Sequence, residues 1–558
     1  MSAHSGLARG LAFLTLAAFC GLAASCVRYG VVPLEDQYVG PARAGQPAAA
    51  QPAPPKGVEA KAPAGQPPAK EPPAAQKVPA PPPISISVTQ AIVMALQNNQ
   101  ALVVERLNPQ IIQTLESTQR AVFDPDVVAS LERGQSETKR TRREGFPRAN
   151  TDSSTADVTV SEFLPTGTTI EASATTNVAP DPSASGDLWA TRLGLSVTQA
   201  LLRGFGPDVN LASLRQARID TLSTQYELRG FAEALVAQVE ETYWDYVLAQ
   251  RQIEIFQQSL ELAEQQEKET QERINVGKLA QIEMAAAAAE VASRREALIN
   301  ARSTLAKTRL LLLRLLNPGC PNFWNCEVTV QTLPTEPKIK LEDVENHAKV
   351  GQRMRPDLNQ ARLQVQRGDL EIVKTRNGLL PKLDLFAALG KTGYSGSLGG
   401  TVHNMPDGGY DVLVGVAFEY PPINRAARAA DQRARLTRQQ SAEAVGNFSQ
   451  LIEVDVRTAY LEVLRTREQV AATAVTRRLR EETVRAETEK FRVGKSTTLL
   501  VAQAQRDLLV AQIFEVQAMT GYLKAFVELY RLEGSLLERR GIECPGREPV
   551  EMPPERMP

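Results

Sequence analysis

The chain contains an internal duplication, and this repeat limits the folds that it can adopt more than any other feature. Residues 271–278 read QERINVGK, and residues 490–495 read KFRVGK. The two Val-Gly-Lys motifs are 217 residues apart, and the same spacing recurs without a gap at other matched positions. The matched pairs are Val276 and Val493, Gly277 and Gly494, Lys278 and Lys495, Tyr243 and Tyr460, Arg218 and Arg435, and Leu315 and Leu532. A constant spacing over so long a stretch indicates two copies of one structural unit.

Each Val-Gly-Lys motif lies between two long helical patterns. In the first copy, apolar residues recur at helical spacing over residues 210–276, and a second helix is predicted over residues 279–316. The corresponding helices of the second copy are residues 425–493 and 496–533. A glycine at such a junction supplies the positive φ that a tight reversal needs. The sequence therefore predicts helical hairpins at 210–316 and 425–533, whose longer arms are roughly 100 Å long at about 1.5 Å per residue.

Shorter helical segments precede both hairpins. They are predicted over residues 87–120 and 341–376, and Arg355-Pro356 kinks or divides the second segment. In each repeat, this segment and the shorter arm of the hairpin together nearly match the longer arm in length. We therefore expect the two shorter helices to stack end to end along the long one. The repeats extend over residues 85–319 and 341–534, with a loop at 320–340 between them and a proline-rich tail at 535–558.

Alternating apolar and polar residues predict β-strands between the helices of each repeat. The β regions are residues 126–202 in the first repeat and about 382–420 in the second. Within the first region, the polar stretch 133–155 is typical of a solvated loop. The first region is 39 residues longer than the second, which leaves two alternatives, a larger loop or an extra hairpin.

One apolar face on each strand suggests a sheet in contact with lipid. The residues expected on that face are Leu193, Leu195, Val197, Leu383, Leu385, Val412, Val414 and Val416. Two hairpins give four strands per chain, which cannot close a barrel, and an open sheet edge is not stable in lipid. Several chains must therefore contribute: two would give eight strands with a filled interior, and three would give twelve strands around a lumen.

The first 25 residues have the pattern of an export signal. Arg9 supplies a positive charge, and residues 11–24 form an apolar run that is too short for a comfortable transmembrane helix. Small residues directly precede Cys26, as in bacterial lipoproteins, whose cysteine is lipidated; ordinary signal cleavage is the alternative. Residues 26–84 are rich in Pro and Ala and cannot bury a core, so they are predicted to be a disordered, lipid-anchored linker.

The composition argues against several classes of function. The chain has 63 basic and 64 acidic residues and a net charge of −1, which does not favour a nucleic-acid partner. Its three histidines are far apart, and no HExxH, Walker A, GxSxG or CxxC motif occurs. The sequence therefore predicts neither an enzyme nor a cofactor or metal site. Cys320 and Cys326 could form a local disulfide in an oxidising compartment, which leaves Cys544 over.

The duplicated helix–strand–strand–helix–helix unit, the QALLRG sequence at residues 199–204 and the Val-Gly-Lys turns resemble the TolC-type outer-membrane efflux proteins. The resemblance implies a mainly α fold with a β-barrel part, in which a homotrimer forms one twelve-stranded barrel in the outer membrane and a helical barrel across the periplasm. It also implies a passive exit duct that works with a periplasmic adaptor and an inner-membrane pump of the RND, ABC or MFS type. Lipidated members are common in the drug-efflux branch, in agreement with Cys26.

The resemblance assigns roles to the two turns. The motifs Val276-Gly277-Lys278 and Val493-Gly494-Lys495 would form hairpin tips that dock an adaptor, and Glu283 is the candidate for an acidic tunnel aperture. The matching position in the second repeat is Leu500, so one acidic ring is missing or displaced. Two other functions are considered: a duct for type I protein secretion, and a structural coiled-coil protein of the envelope. The latter does not explain strands placed symmetrically in both repeats.

Overall fold

The computed structural model of the protein describes residues 84–138, 149–180, 186–319, 322–336 and 341–552. Helices and strands alternate in these ranges in the order that the duplication predicts. The helices are α1 (Val88–Asn98), α2 (Gln100–Glu105), α3 (Asn108–Arg120), α4 (Pro207–Asn210), α5 (Ala212–Asn275), α6 (Ile282–Leu316), α7 (Val344–Met354), α8 (Pro356–Asn377), α9 (Leu398–His403), α10 (Arg425–Arg492), α11 (Thr498–Leu532) and α12 (Leu536–Arg539). The strands are β1 (Ile84–Ile86), β2 (Asp126–Thr138), β3 (Ala149–Phe163), β4 (Thr168–Pro180), β5 (Asp187–Ala200), β6 (Val328–Val330), β7 (Lys382–Ser395) and β8 (Gly409–Glu419).

Two long helical hairpins dominate the fold. Helix α5 has 64 residues and turns back into α6, and α10 has 68 residues and turns back into α11. At about 1.5 Å per residue, the two long arms extend for roughly 96 and 102 Å. Neither long arm contains a proline, and both begin next to the sheet that β5 and β8 belong to. The turns at Gly277 and Gly494 therefore lie at the ends of the long arms that are distant from the sheet.

The shorter helices of the first repeat meet end to end, as the sequence predicts. The Asn317 side chain, just past α6, donates to the Asn98 carbonyl at 2.8 Å, and Asn99 donates to the Leu315 carbonyl at 3.0 Å. The single helix expected over residues 87–120 is wrong, because this segment forms α1, α2 and α3. Asn99 separates α1 from α2, because it has extended backbone angles and accepts hydrogen bonds from the backbone of Ala101 and Leu102. Pro109 in the first turn of α3 separates α3 from α2, because a proline cannot lie in a helix interior without breaking it.

The second repeat has the same arrangement, with the expected division at Arg355-Pro356 between α7 and α8. Arg355 has extended backbone angles, as the residue before a proline prefers. Where α11 ends, the buried Glu533 lies 2.5 Å from Nδ1 of the buried His347 on α7. The ends of the two shorter helices are thus fastened to each other in this repeat as well.

The β regions form one six-stranded antiparallel sheet in the order β2-β3-β4-β5-β7-β8. The count of four strands per chain is therefore wrong, because the first repeat contributes two hairpins and the second contributes one. The prediction of a polar loop over 133–155 is also wrong at both ends of that range. Strand β2 extends as far as Thr138, and strand β3 already begins at Ala149. These strand ends are polar on both faces, so they lack the alternation from which strands are predicted.

The register of the sheet puts all eight residues that we expected to face lipid on one face. Leu195 pairs with Leu389 and Val197 with Ala387, while Leu385 pairs with Val416 and Ala387 with Val414. Side chains of directly paired residues lie on the same face of a sheet, so this face is apolar across β5, β7 and β8. The opposite face of these strands carries Arg192, Ser196 and Asp411, among others.

The main core lies around the middle of the long helices, where the shorter helices meet. Tyr243 and Tyr246 of α5 are buried there, and the Tyr246 hydroxyl donates to the Val328 carbonyl at 2.8 Å. Val328 belongs to β6, which lies in the segment 320–340 that was expected to be only a loop. This strand pairs in parallel with β1. The C-terminal segment packs against the same region, where Asn359 accepts from the backbone of Val550 at 3.0 Å.

Candidate functional site

The two hairpin tips have the same backbone geometry. Gly277 and Gly494 both have a φ of 76°. At the first tip, the Lys278 backbone N–H donates to the Arg273 carbonyl and that of Gly277 to the Ile274 carbonyl, at 2.8 and 2.9 Å. The second tip repeats both bonds at 2.8 and 3.1 Å, from Lys495 to Lys490 and from Gly494 to Phe491. This pair of bonds is the Schellman motif, which closes a helix by means of a residue with positive φ.

The tips present an apolar and a basic side chain to solvent on either side of the glycine. Val276 and Val493 are each 68% exposed, and Lys278 and Lys495 are exposed as well. A β-carbon added to either glycine would have no other atom within 4 Å. The tip surface is therefore open, and its shape depends on the backbone turn rather than on packing.

The two tips of one chain contact each other beside the turns. The Arg273 guanidinium lies 4.6 Å from the centre of the Phe491 ring, in a cation–π contact. The Thr498 hydroxyl, at the start of α11, donates to the Glu283 carboxylate at the start of α6. Neither contact was predicted, since sequence spacing matches equivalent positions without showing which of them touch.

Glu283 is the only predicted aperture residue, and the structure places it between the two hairpins. It is half-buried and hydrogen-bonded to Thr498, whereas the equivalent Leu500 is 48% exposed. Two turns further along α6, Glu290 binds Arg294 at 2.5 Å and lies 3.9 Å from Arg506 of α11. Acidic groups near the tips thus have partners within this chain, and the aperture role of Glu283 stays a prediction.

The polar face of the sheet carries a cross-strand ion pair. Arg192 of β5 binds Asp411 of β8 at 2.5 Å, across the intervening strand β7. The residue beneath the pair is Gly390, and a β-carbon there would collide with both side chains. The glycine therefore leaves room for two charges that span three strands on the polar face.

A buried ionic cluster joins the middle of α5 to the end of the chain. Arg229 lies 3.3 Å from Glu233 and 2.5 Å from Glu538. Arg540 donates through Nε and Nη2 to the two carboxylate oxygens of Glu240, each at 2.6 Å. Burial raises the pKa of Glu233 to about 8, against the opposing effect of Arg229. The cluster holds α12 on α5 at the level where the two repeats meet.

Several predictions concern residues that the structure does not describe. Cys26, the export signal and the linker up to residue 83 lie outside the described residues, as does Cys320, so the lipidation and the disulfide stay predictions; the last residue of the predicted linker, Ile84, belongs to β1. Cys326 is buried, and Cys544 is half-buried. In the described ranges, no group of three or more His, Cys, Asp or Glu side chains could hold a metal ion. Among the helices of those same ranges, none has the length and apolarity that crossing a membrane requires.

Comparison with known proteins finds one family model and several solved structures that resemble this chain. Residues 352–535 match the model of the family described as outer membrane efflux protein. No curated protein sequence matches the chain. The solved structure of CusC is similar with a TM-score of 0.62 and 17% identity, over 80% of this chain and 92% of CusC.

Two further outer membrane channels have the same fold. CmeC of Campylobacter jejuni gives a TM-score of 0.61 at 15% identity, over 80% of this chain and 86% of CmeC. MtrE of Neisseria gonorrhoeae, solved in its open state, gives 0.57 at 17% identity, over 80% of this chain and 89% of MtrE. Residues 352–535 are therefore similar to the outer membrane efflux protein family, within a chain that has the fold of the solved channels.

Proposed function

We propose that the protein is the outer-membrane exit duct of a tripartite efflux system. It conducts substrates passively from an inner-membrane pump and a periplasmic adaptor across the outer membrane. The similarity of residues 352–535 to the outer membrane efflux protein family supports this function, as does the fold shared with CusC, CmeC and MtrE.

One structural observation carries the proposal. A sheet with a continuous apolar face is joined at one end to helical hairpins roughly 100 Å long, whose exposed tips lie at the other end. An apolar outer face with a polar inner face suits a barrel wall between lipid and an aqueous lumen. Helices of this length suit a conduit that reaches from the outer membrane far into the periplasm.

The working form is a homotrimer, with six hairpin tips in a ring at the periplasmic end. The nearly identical turns at Gly277 and Gly494 favour a near-sixfold arrangement, because each chain offers two equivalent docking surfaces. An adaptor binds at these tips through the exposed valine and lysine side chains. The pump behind the adaptor is of the RND, ABC or MFS type.

The protein is anchored in the outer membrane by its barrel and, in addition, by a lipid on Cys26. Residues 26–84 tether this lipid to the folded part of the chain. Because the sheet inserts by itself, the lipid is an auxiliary anchor rather than the principal one.

Deleting the protein from its own cell and measuring two kinds of export tests the proposal. We expect greater susceptibility to a panel of drugs, restored by the wild-type chain, and ion conductance when the purified protein is added to a planar bilayer. Loss of a secreted protein without a change in drug susceptibility would favour type I secretion instead. Unchanged export of both kinds, with no conductance, would contradict the function as a duct.

A further inference from the structure

The hairpin formed by β2 and β3 carries the same apolar band as the rest of the sheet. Val127 and Val160 pair with each other, as do Ala129 and Val158, and Val160 pairs in turn with Ala172. Through Leu195, this row continues onto the face that we assign to lipid. On all six strands the band comprises Val127, Ala129, Leu131, Ala156, Val158, Val160, Ile170, Ala172, Ala174, Leu193, Leu195, Val197, Leu385, Ala387, Leu389, Val412, Val414 and Val416. The extra hairpin is therefore part of the wall rather than a loop outside it.

Both edge strands of the sheet, β2 and β8, carry residues of this apolar band. The edge strand β2 exposes 63% of Val127 and 69% of Leu131, and the edge strand β8 exposes 67% of Val414. In the part of the chain that the structure describes, no strand pairs with the backbone N–H and C=O groups on the open side of either edge. In lipid such groups must be paired, so each edge needs a strand from elsewhere.

The directions of the edge strands allow another copy of this chain to supply that strand. The sheet has six antiparallel strands, so β2 runs away from the helices and β8 runs back towards them. When β8 of one copy lies beside β2 of the next, the new pair is also antiparallel. Such a head-to-tail contact closes into a ring when the rotation between neighbouring copies divides a full turn evenly.

Side chains on the polar face also point to contact between these two edges. At the height of the band, the large apolar residues on that face are Val128, Phe163, Phe386 and Leu413. Phe163 stacks on Phe123, and Phe386 lies over Gly415 within the chain. Val128 on β2 and Leu413 on β8 are left 52% and 58% exposed. Placing Val128 opposite Leu413 of the next copy covers both and joins the apolar band in two rows, with Ala129 opposite Val412 and Val127 opposite Val414.

We propose that three copies join β8 to β2 in this register and form an eighteen-stranded barrel. This inference rests on the trimer of the proposed function and replaces the twelve strands that the sequence suggests. Because barrel diameter grows roughly in proportion to strand number, the wall would be about half again as wide as a twelve-stranded one. The extra hairpin thus gives the outer-membrane part of the duct a wider lumen.

Paired cysteines in the full-length chain test the contact. Residues directly opposite in antiparallel strands have Cα atoms about 4.5–5.5 Å apart, within the range of a disulfide. The test variant combines Ala129→Cys with Val412→Cys, and Ala129→Cys with Val414→Cys checks a register shifted by two residues. The control variant combines Ala172→Cys with Val414→Cys, since β4 would meet β8 of the next copy if β2 and β3 left the wall. The wild-type chain, with its native cysteines, gives the background, and native mass spectrometry of the wild type counts the copies independently.

We expect Ala129→Cys/Val412→Cys to oxidise into covalent trimers and the Ala172→Cys variant to remain as separate chains on a denaturing gel. Trimers from the shifted pair would support the eighteen strands but overturn the register. Trimers from the Ala172→Cys variant alone would overturn the eighteen strands and leave the trimeric duct intact. A native trimer with no crosslink in any variant would overturn the edge contact. Covalent dimers, with a native mass of two chains, would overturn the trimer itself.

Discussion

Replacing a tip glycine by valine tests whether the shape of the hairpin tips is needed for function. Gly277 and Gly494 both have a φ of 76°, where a β-branched side chain is disfavoured by about 1–2 kcal/mol. A β-carbon at either position would have no neighbour within 4 Å, so no steric clash adds to this strain. The whole cost of the substitution therefore lies in the backbone of the turn.

This cost is similar to the stability of the turn itself. The Schellman motif at Gly494 has two backbone hydrogen bonds, each with a net contribution of roughly 0.5–1.5 kcal/mol. Valine at Gly494 should therefore make the native turn compete with a frayed one. The core around the middle of the long helices is far from the tip, so assembly in the membrane should be unaffected.

The assay compares Gly277→Val, Gly494→Val and the double variant with Gly494→Asn as a matched control. Asparagine tolerates positive φ better than valine and should keep the turn. We expect normal amounts of assembled protein for all variants, with drug efflux reduced by each valine and lost in the double variant. Efflux equal to the wild type in the double variant would refute the docking role and leave the glycines as simple connections.

Three further predictions concern other parts of the chain. Leu195→Arg should reduce assembly in the outer membrane, because an arginine on the lipid face costs about 2–4 kcal/mol per chain near the midplane, whereas Ser196→Arg on the opposite face should assemble normally on native gels. Because burial raises the pKa of Glu233 from 4.5 to about 8, the folded protein should lose stability as the pH rises from 4.5 to about 8, by up to about 1.4 kcal/mol per pH unit, with no further loss from this group above 8. Glu233→Gln should flatten the dependence of Tm on pH in that window. Cys26→Ala should reduce membrane association only mildly, and mass spectrometry of the mature wild type should find a lipid on Cys26; an unmodified Cys26 would refute the lipidation.

The helical part was predictable because it depends on long regular patterns. Uninterrupted spacing over tens of residues located both hairpins, and a glycine at the same place in each repeat located the tips. The break at Asn99 was not foreseen, since it depends on the side chain of Asn99 capping α2 and contacting α6, whereas the break before Pro109 had a local signal in that proline. An asparagine can lie inside a helix or end it, and which of the two occurs depends on the hydrogen-bond partner of its side chain, which the sequence does not show.

The β part was only half predictable for a different reason. Strands with one apolar face were predicted from the sequence. The C-terminal end of β2 and the N-terminal end of β3 are polar on both faces, so their sequence resembles that of a loop. One signal was available: Leu164-Pro165, which precedes β4, repeats the Leu380-Pro381 that precedes β7. The contacts between the tips, Arg273 with Phe491 and Thr498 with Glu283, join distant parts of the chain and had no local signal.

The two repeats differ in length at the sheet but not at the hairpin tips, and the direction of the chain explains how the sheet can differ. Adding one strand to the first repeat would bring the chain out on the other side of the sheet, so α5 would begin at the wrong end. Adding two strands returns the chain to the same side, and the 39 extra residues of the first repeat are close to the span from Asp126 to Phe163 that β2 and β3 occupy. The sheet can therefore gain a whole hairpin without any change in the helices. The tips show no such difference, since both retain Val-Gly-Lys with the same φ, as the proposed docking of an adaptor on both turns requires.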